Sequence, residues 1–180
     1  MHLQFYGAAG EVTGSCHILT VRGRTLLLDC GLIQGGDQPD IRNRQPFPFD
    51  AAAIDAVVLS HAHIDHCGRL PLLRKRGFRG PIYATPACRD LEPILLADSA
   101  FMGEREAERT RSRQAEHGNR HARGFPDPLF TRVDADETIQ QFKPVAYGHA
   151  TEVLPGVTLT FRDAGHILGS ASVWLQLEEE

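Results

Sequence analysis

The residues best suited to chemistry fall in one string, Ser60-His61-Ala62-His63-Ile64-Asp65-His66. Three histidines and an aspartate lie within residues 61–66. Side chains two apart on an extended chain point to one side, so His61 and His63 share a face. Asp65 and His66 sit where the chain turns into a helix, and they approach the same pocket from another angle. Imidazole and carboxylate are borderline N/O ligands that suit zinc best and admit manganese or iron. Two ligand pairs so close together fit two ions about 3.5–4 Å apart. A lone histidine is ordinarily a structural or surface residue. Packing does not explain this cluster, and its alternation is not that of a polyhistidine tract.

Two further places could serve the same centre. Asp163-Ala164-Gly165-His166-Ile167-Leu168-Gly169-Ser170-Ala171 sets one histidine in a glycine-rich loop after an apolar run. Alone it reads as ordinary loop chemistry; beside the first string, His166 is a candidate third histidine on one ion. Asp29 ends the run Leu26-Leu27-Leu28 and precedes Cys30-Gly31. It is either a turn former or a carboxylate that orients a ligating histidine or a water.

These residues need elements to hold them. Leu3–Tyr6, Cys16–Val21 and Thr25–Asp29 read as strands, the last two joined by a turn at Arg22-Gly23-Arg24. Gln34–Phe49, rich in Gly, Pro, Asn and Asp, reads as a loop. Ala56–Ser60 is apolar enough for a strand buried on both faces, placing the histidine string at its end. A short amphipathic helix is expected over Gly68–Gly77, then a strand at Pro81–Ala84. Thr85-Pro86 starts a helix through Leu91, Ile94 and Leu95, with a kink at Pro93. From Phe101 to Phe130, acids alternate with Arg105, Arg109, Arg111, Arg113, Arg120 and Arg123. That stretch reads as an exposed helical excursion, either a solvated face or a basic rim for a polyanion. Asp134-Ala135-Asp136-Glu137 resembles a capping box. Strand-like runs return at Pro144–Tyr147, Val157–Phe161 and Ala171–Leu177. Alternating strands and helices argue an α/β fold.

Composition sets the outer bounds. The chain has 180 residues, 42% hydrophobic and 23% charged, with a net charge of −4. That suits one domain with a real core and makes disorder an unsuitable reading. There is no apolar run long enough for a membrane helix and no secretory leader pattern. The mild acidity excludes nucleic-acid recognition by bulk charge but not by a local basic groove. The four cysteines (Cys16, Cys30, Cys67, Cys88) form no C-x-x-C pair, so reduced, mostly buried thiols and a cytoplasmic setting are expected.

Together these strings resemble the metallo-β-lactamase superfamily, whose hallmark is H-x-H-x-D-H. More narrowly they resemble its β-CASP branch of RNA-processing nucleases, similar to the mRNA 3′-end cleavage endonuclease family. The narrower likeness rests on Glu11-Val12-Thr13-Gly14-Ser15, Leu28-Asp29-Cys30-Gly31, Cys67-Gly68-Arg69-Leu70-Pro71, Arg79–Thr85 and Ala164–Ala171. The resemblance implies a four-layered αββα sandwich, of which residues 1–180 would hold the first half and the start of the second, without the β-CASP domain. It implies that His61, His63 and His166 bind a first zinc, that Asp65 and His66 bind a second, and that Asp29 supports them. It also implies that Asp65 takes part in catalysis, in phosphodiester hydrolysis of RNA. The family's later ligands would follow Glu180, so about one tight zinc, little activity in this chain and self-association through an unpaired sheet edge are expected. Two other functions fit the same string. One is a glyoxalase- or lactamase-like hydrolase of small thioesters or lactams. The other is a non-catalytic scaffold subunit of an RNA-processing complex.

Overall fold

Strands that are apolar on both faces need cover on both sides, and this decides the layering. The structure is a computed structural model that describes residues 1–117 and 124–178; Arg120, Arg123, Glu179 and Glu180 lie outside the described residues. Six strands form one sheet in chain order: β1 (His2–Gly7), β2 (Cys16–Val21), β3 (Arg24–Leu28), β4 (Ala56–Val58), β5 (Ile82–Ala84) and β6 (Phe142–Pro144). β1, β2 and β3 pair antiparallel, whereas β3 to β6 run parallel. A second, antiparallel sheet holds β7 (Thr151–Leu154), β8 (Val157–Asp163) and β9 (Ala171–Leu177).

The pleat sorts the core into two. Ile18, Leu27, Val57 and Ile82 pack with the helices. Their neighbours Leu19, Leu26, Ala56 and Val58 face Val157, Leu159 and Phe161 of the second sheet. The described residues thus stack helices, sheet and sheet, three of the four layers that the sequence resemblance implies. The outer face of the second sheet is open, and Trp174 on it is 61% exposed. No helix among the described residues is long and apolar enough to cross a membrane.

The helices are α1 (Pro39–Arg44), α2 (Ile64–Cys67), α3 (Leu70–Lys75), α4 (Pro86–His117) and α5 (Arg132–Ile139). α3 buries Leu70, Leu72 and Leu73, each worth about 1.5–3 kcal/mol on leaving water. Arg76 closes it, its N–H donating to the Leu72 carbonyl, and Gly77 turns the chain away at φ +118°. Thr85 caps α4 as expected, its hydroxyl oxygen accepting from the Cys88 N–H at 3.2 Å. The helix passes Pro93 as one unbroken element and carries the charged series from Phe101 to His117, with Ala107 and Thr110 buried.

Two local readings are corrected. The stretch Gln34–Phe49 holds α1, whose first residue is a proline with its φ already set for a helix. The capping box lies three residues upstream of Asp134-Glu137. Thr131 is the cap, its Oγ accepting from the Asp134 N–H and the Asp134 carboxylate accepting from the Thr131 N–H. Asp134 is the last residue of the box, not its first.

Among the polar residues buried in the core, one is ionisable and poorly partnered on both side-chain oxygens. Glu92 on α4 is fully buried and neither carboxyl oxygen makes a well-formed hydrogen bond. Burial pushes this carboxyl up to about 8; the facing Cys67 thiol lowers it and the Asp29 charge raises it further. A folded-state pKa raised above the ordinary 4.5 gives stability that is complete below about pH 4.5 and lost as pH rises through 8. Glu92→Gln removes that dependence. In thermal melts, its Tm relative to the parent should rise by about 5 °C or more between pH 5 and pH 8.5. A constant difference across that range would contradict the burial argument.

Candidate metal centre

Ligands in sheets with parallel strands collect beyond the carboxyl ends of those strands, and the sequence-identified residues meet there. Asp29 directly follows β3, Ser60 to His63 follow β4, and Asp65 and His66 lie in α2. His166 comes from the loop between β8 and β9, so the site joins both sheets.

The Asp29 carboxylate organises the inner side. Its Oδ1 accepts from the Ser60 N–H at 2.8 Å. Its Oδ2 accepts from His66 Nδ1 at 2.7 Å, Ser60 Oγ at 3.0 Å and Ser15 Oγ at 3.1 Å. A carboxylate only accepts, so the His66 proton sits on Nδ1 and Nε2 is left free. That nitrogen lies 3.6 Å from Asp65 Oδ2, and the His66 ring also packs on His61, ring centroids 4.0 Å apart. Burial pulls the His66 imidazole down, but the hydrogen bond and charge of Asp29, with Asp65 behind, outweigh it, and its pKa is raised.

Asp29 holds this position at φ +58°, in the left-handed region that aspartate tolerates better than most residues. The next residues dock on α2: the Cys30 N–H donates to the His66 carbonyl at 2.7 Å and the Leu32 N–H to the Ile64 carbonyl at 2.9 Å. A Cβ on Gly31 would stand 1.6 Å from the Asp65 carbonyl oxygen, so only glycine lets the two segments approach. Arg69, nearly buried, clamps the same turn by donating from Nε to the Gly31 carbonyl at 2.6 Å.

The outer side is a cluster of three imidazoles. His61 Nε2 and His166 Nε2 lie 3.2 and 3.1 Å from His63 Nδ1. These three nitrogens lie within 4.8 Å of one another. Three nitrogens at ~2.05 Å from one tetrahedral zinc stand about 3.3 Å apart, so the donor set fits such an ion. Burial, together with the facing His66, His63 and His166 rings, lowers the His61 imidazole to about 4, against the raising effect of Asp29. A neutral ring at ordinary pH is the form that ligates a metal.

The His166 loop is pinned from several sides. Ser170 Oγ accepts from the His166 and Ile167 N–H groups at 3.1 and 3.2 Å. The Ala171 N–H donates to the Ser60 carbonyl at 2.9 Å, tying the loop to the histidine string. Thr85 Oγ donates to the Gly169 carbonyl at 2.6 Å, and Tyr147 Oη to the Ser170 carbonyl at 2.7 Å. A Cβ on Gly169 would fall 2.5 Å from the Cys88 nitrogen, which explains a glycine there.

The structure therefore brings together every singled-out residue: His61, His63 and His166 in one cluster, and Asp65, His66 and Asp29 in a chain beside it. Sequence reasoning gave no role to Ser60, Ser15 or His17. Ser60 directly precedes the histidine string, which is a signal for it; Ser15, the residue before β2, and His17 within it meet groups remote in sequence.

Residues 24–93 match the family model described as a beta-lactamase superfamily domain. A protein named ribonuclease TTHA0252, from Thermus thermophilus, is 40% identical over 178 residues, covering 99% of this chain and 36% of that protein. The transcription termination factor FttA of Methanosarcina mazei is 35% identical over 168 residues, covering 92% of this chain and 23% of that protein. The chain thus spans about a third or less of these curated relatives. Among solved structures, the Rm3 metallo-beta-lactamase superposes with a TM-score of 0.55 at 20% identity, covering 98% of this chain and 54% of that one. MEM-A1, a subclass B3 metallo-beta-lactamase from a soil metagenome library, gives 0.52 at 17%, covering 93% and 53%. At such identities the likeness is one of fold.

The geometry predicts that the chain retains about one zinc through gel filtration, read by elemental analysis. His166→Ala should release it although residue 166 is remote in sequence from the main string. Asp29→Ala should weaken zinc affinity by about 10- to 100-fold in a competition titration. Retention of zinc by His166→Ala at parental affinity would contradict the three-histidine cluster.

Proposed function

We propose, for a chain that carries a beta-lactamase superfamily domain in the metallo-β-lactamase fold, that it supplies the metal-binding part of a hydrolase acting on RNA phosphodiesters. The observation that carries this reading is the three-imidazole cluster beside the Asp29–His66–Asp65 chain. Its direction toward RNA is supported by the relatives named ribonuclease and transcription termination factor. His61 Nε2, His63 Nδ1 and His166 Nε2 would hold a zinc ion, with Asp65 and His66 offering a second position. Bound zinc would supply Lewis acidity toward a phosphoryl oxygen and lower the pKa of a water for attack.

The chain's own residues do the rest. Asp29 accepts the His66 proton on Nδ1, which leaves Nε2 on the side of Asp65. Ser60 Oγ, 3.0 Å from His61 Nδ1, fixes that ring with its Nε2 toward the cluster. His63 and His166 are exposed, so a chain as bulky as a nucleic acid reaches the cluster without a lid. Asp65, with a free oxygen at the rim, is the carboxylate placed to accept a proton from an attacking water. Four free, buried cysteines accord with a cytoplasmic setting. We place self-association at the outer strands β1 and β9, which end their sheets among the described residues.

The test is cleavage of an end-labelled RNA by the protein that carries this domain. His61→Ala and Asp65→Asn should each lower the rate by about a thousandfold or more while leaving RNA binding intact. Unchanged cleavage in both variants would overturn the assignment. So would hydrolysis of a thioester or lactam in place of RNA.

A further inference from the structure

Ser15, the residue before β2, and His17 within it are two polar residues at the inner side of the site that no ligand role absorbs. Ser15 is buried and its hydroxyl lies 3.1 Å from Asp29 Oδ2, the same oxygen that receives the His66 proton. Because a carboxylate only accepts, the Ser15 proton is committed to Asp29. The Ser15 oxygen then presents lone pairs toward His17 Nε2, 3.5 Å away. His17 lies edge-on to Phe5, ring centroids 5.0 Å apart, and its Nδ1 is buried with no hydrogen-bond partner.

An unpartnered buried ring nitrogen costs about 1–3 kcal/mol. Leucine or phenylalanine would pack on Phe5 without that cost, so packing does not account for the histidine. What the imidazole provides that they do not is a ring nitrogen 3.5 Å from Ser15 Oγ, which donates to it in the Nε2–H tautomer.

We infer that Ser15 and His17 are positioning residues that fix the proton order of the site through one directed chain, His17 Nε2–H to Ser15 Oγ, Ser15 Oγ–H to Asp29 Oδ2, with His66 Nδ1–H donating to that same oxygen. Asp29 Oδ2 is the short-range acceptor for the Ser15 and His66 protons alike, Ser60 Oγ being a longer 3.4 Å contact of His66 Nδ1, so the chain holds Oδ2 in place and disfavours the His66 tautomer that would bury its free nitrogen. The chain of hydrogen bonds exists without metal; its consequence for metal affinity rests on the zinc reading above.

The proton order is read directly by long-range proton–nitrogen NMR correlation of the metal-free chain. Parent protein should show His17 as the Nε2–H tautomer and a His66 Nδ1–H signal protected from solvent exchange. Ser15→Ala should leave His17 a mixture of tautomers and speed His66 Nδ1–H exchange about tenfold, while Ser15→Thr, which keeps the hydroxyl, restores both. His17→Phe keeps the packing on Phe5 and removes only the donor. It should speed the same exchange by about threefold without lowering Tm, which gives a readout should Ser15→Ala fail to fold. An Nδ1–H tautomer of His17 in the parent, or a His66 signal unmoved in Ser15→Ala and His17→Phe alike, overturns the inference. With the NMR result in hand, cobalt(II) titration separates the two claims. Weak binding by the parent would count against the metal reading alone. Parental affinity in Ser15→Ala would sever the hydrogen-bond chain from metal binding.

Discussion

One carboxylate oxygen carries the organisation of this site. Asp29 Oδ2 accepts from His66, Ser60 and Ser15, three donors on three separate segments, while Oδ1 takes a backbone N–H. Hydrogen bonds to a charged acceptor are each worth about 1.5–3 kcal/mol. A partly satisfied cluster of this kind would be worse than none. Remove the oxygen and the His66 ring loses its tautomer, the Ser60 hydroxyl loses its direction, and His61 loses the neighbour that fixes its Nδ1. The backbone is bent to serve this group: aspartate takes a left-handed conformation and the glycine after it admits α2 at contact distance.

The fold makes such convergence affordable in conformational terms. β3 and β4 are short, parallel and buried on both faces, so their ends are fixed by two cores at once. Residues just beyond those ends inherit that rigidity. His166 arrives from the other sheet, and its loop is anchored through Ser170, Gly169 and Ala171 to the Ser60 string, to Thr85 and to Tyr147. The three-imidazole cluster is therefore a tertiary object: it exists only when the two sheets have packed.

Much of this was legible in the sequence because the chemistry is concentrated. Two histidines at i and i+2 after an apolar run already placed two ligating nitrogens on one side, and the run Leu26–Leu28 placed Asp29 at a strand end. The superfamily resemblance read from these strings is borne out by the family model and the fold. What was missed has physical reasons. α1 is only six residues long and rides on a proline within a stretch of loop-forming residues, so composition hid it. The capping box was shifted because Asp134 serves as the third helical residue while Thr131, the cap, precedes an arginine and a valine that carry no start signal. Ser15 and His17 went unassigned because the group they converge on, Asp29 just past the end of β3, is remote in sequence, a contact that no local pattern encodes.

The central claim is that His61, His63 and His166, drawn together from the two sheets, form one ligand set. Zinc-edge X-ray absorption of the zinc-loaded 180-residue chain tests it most directly. The account predicts a first shell with three imidazole nitrogens at about 2.0–2.1 Å and no sulfur. A shell containing sulfur at about 2.3 Å, or two or fewer imidazoles, would contradict it.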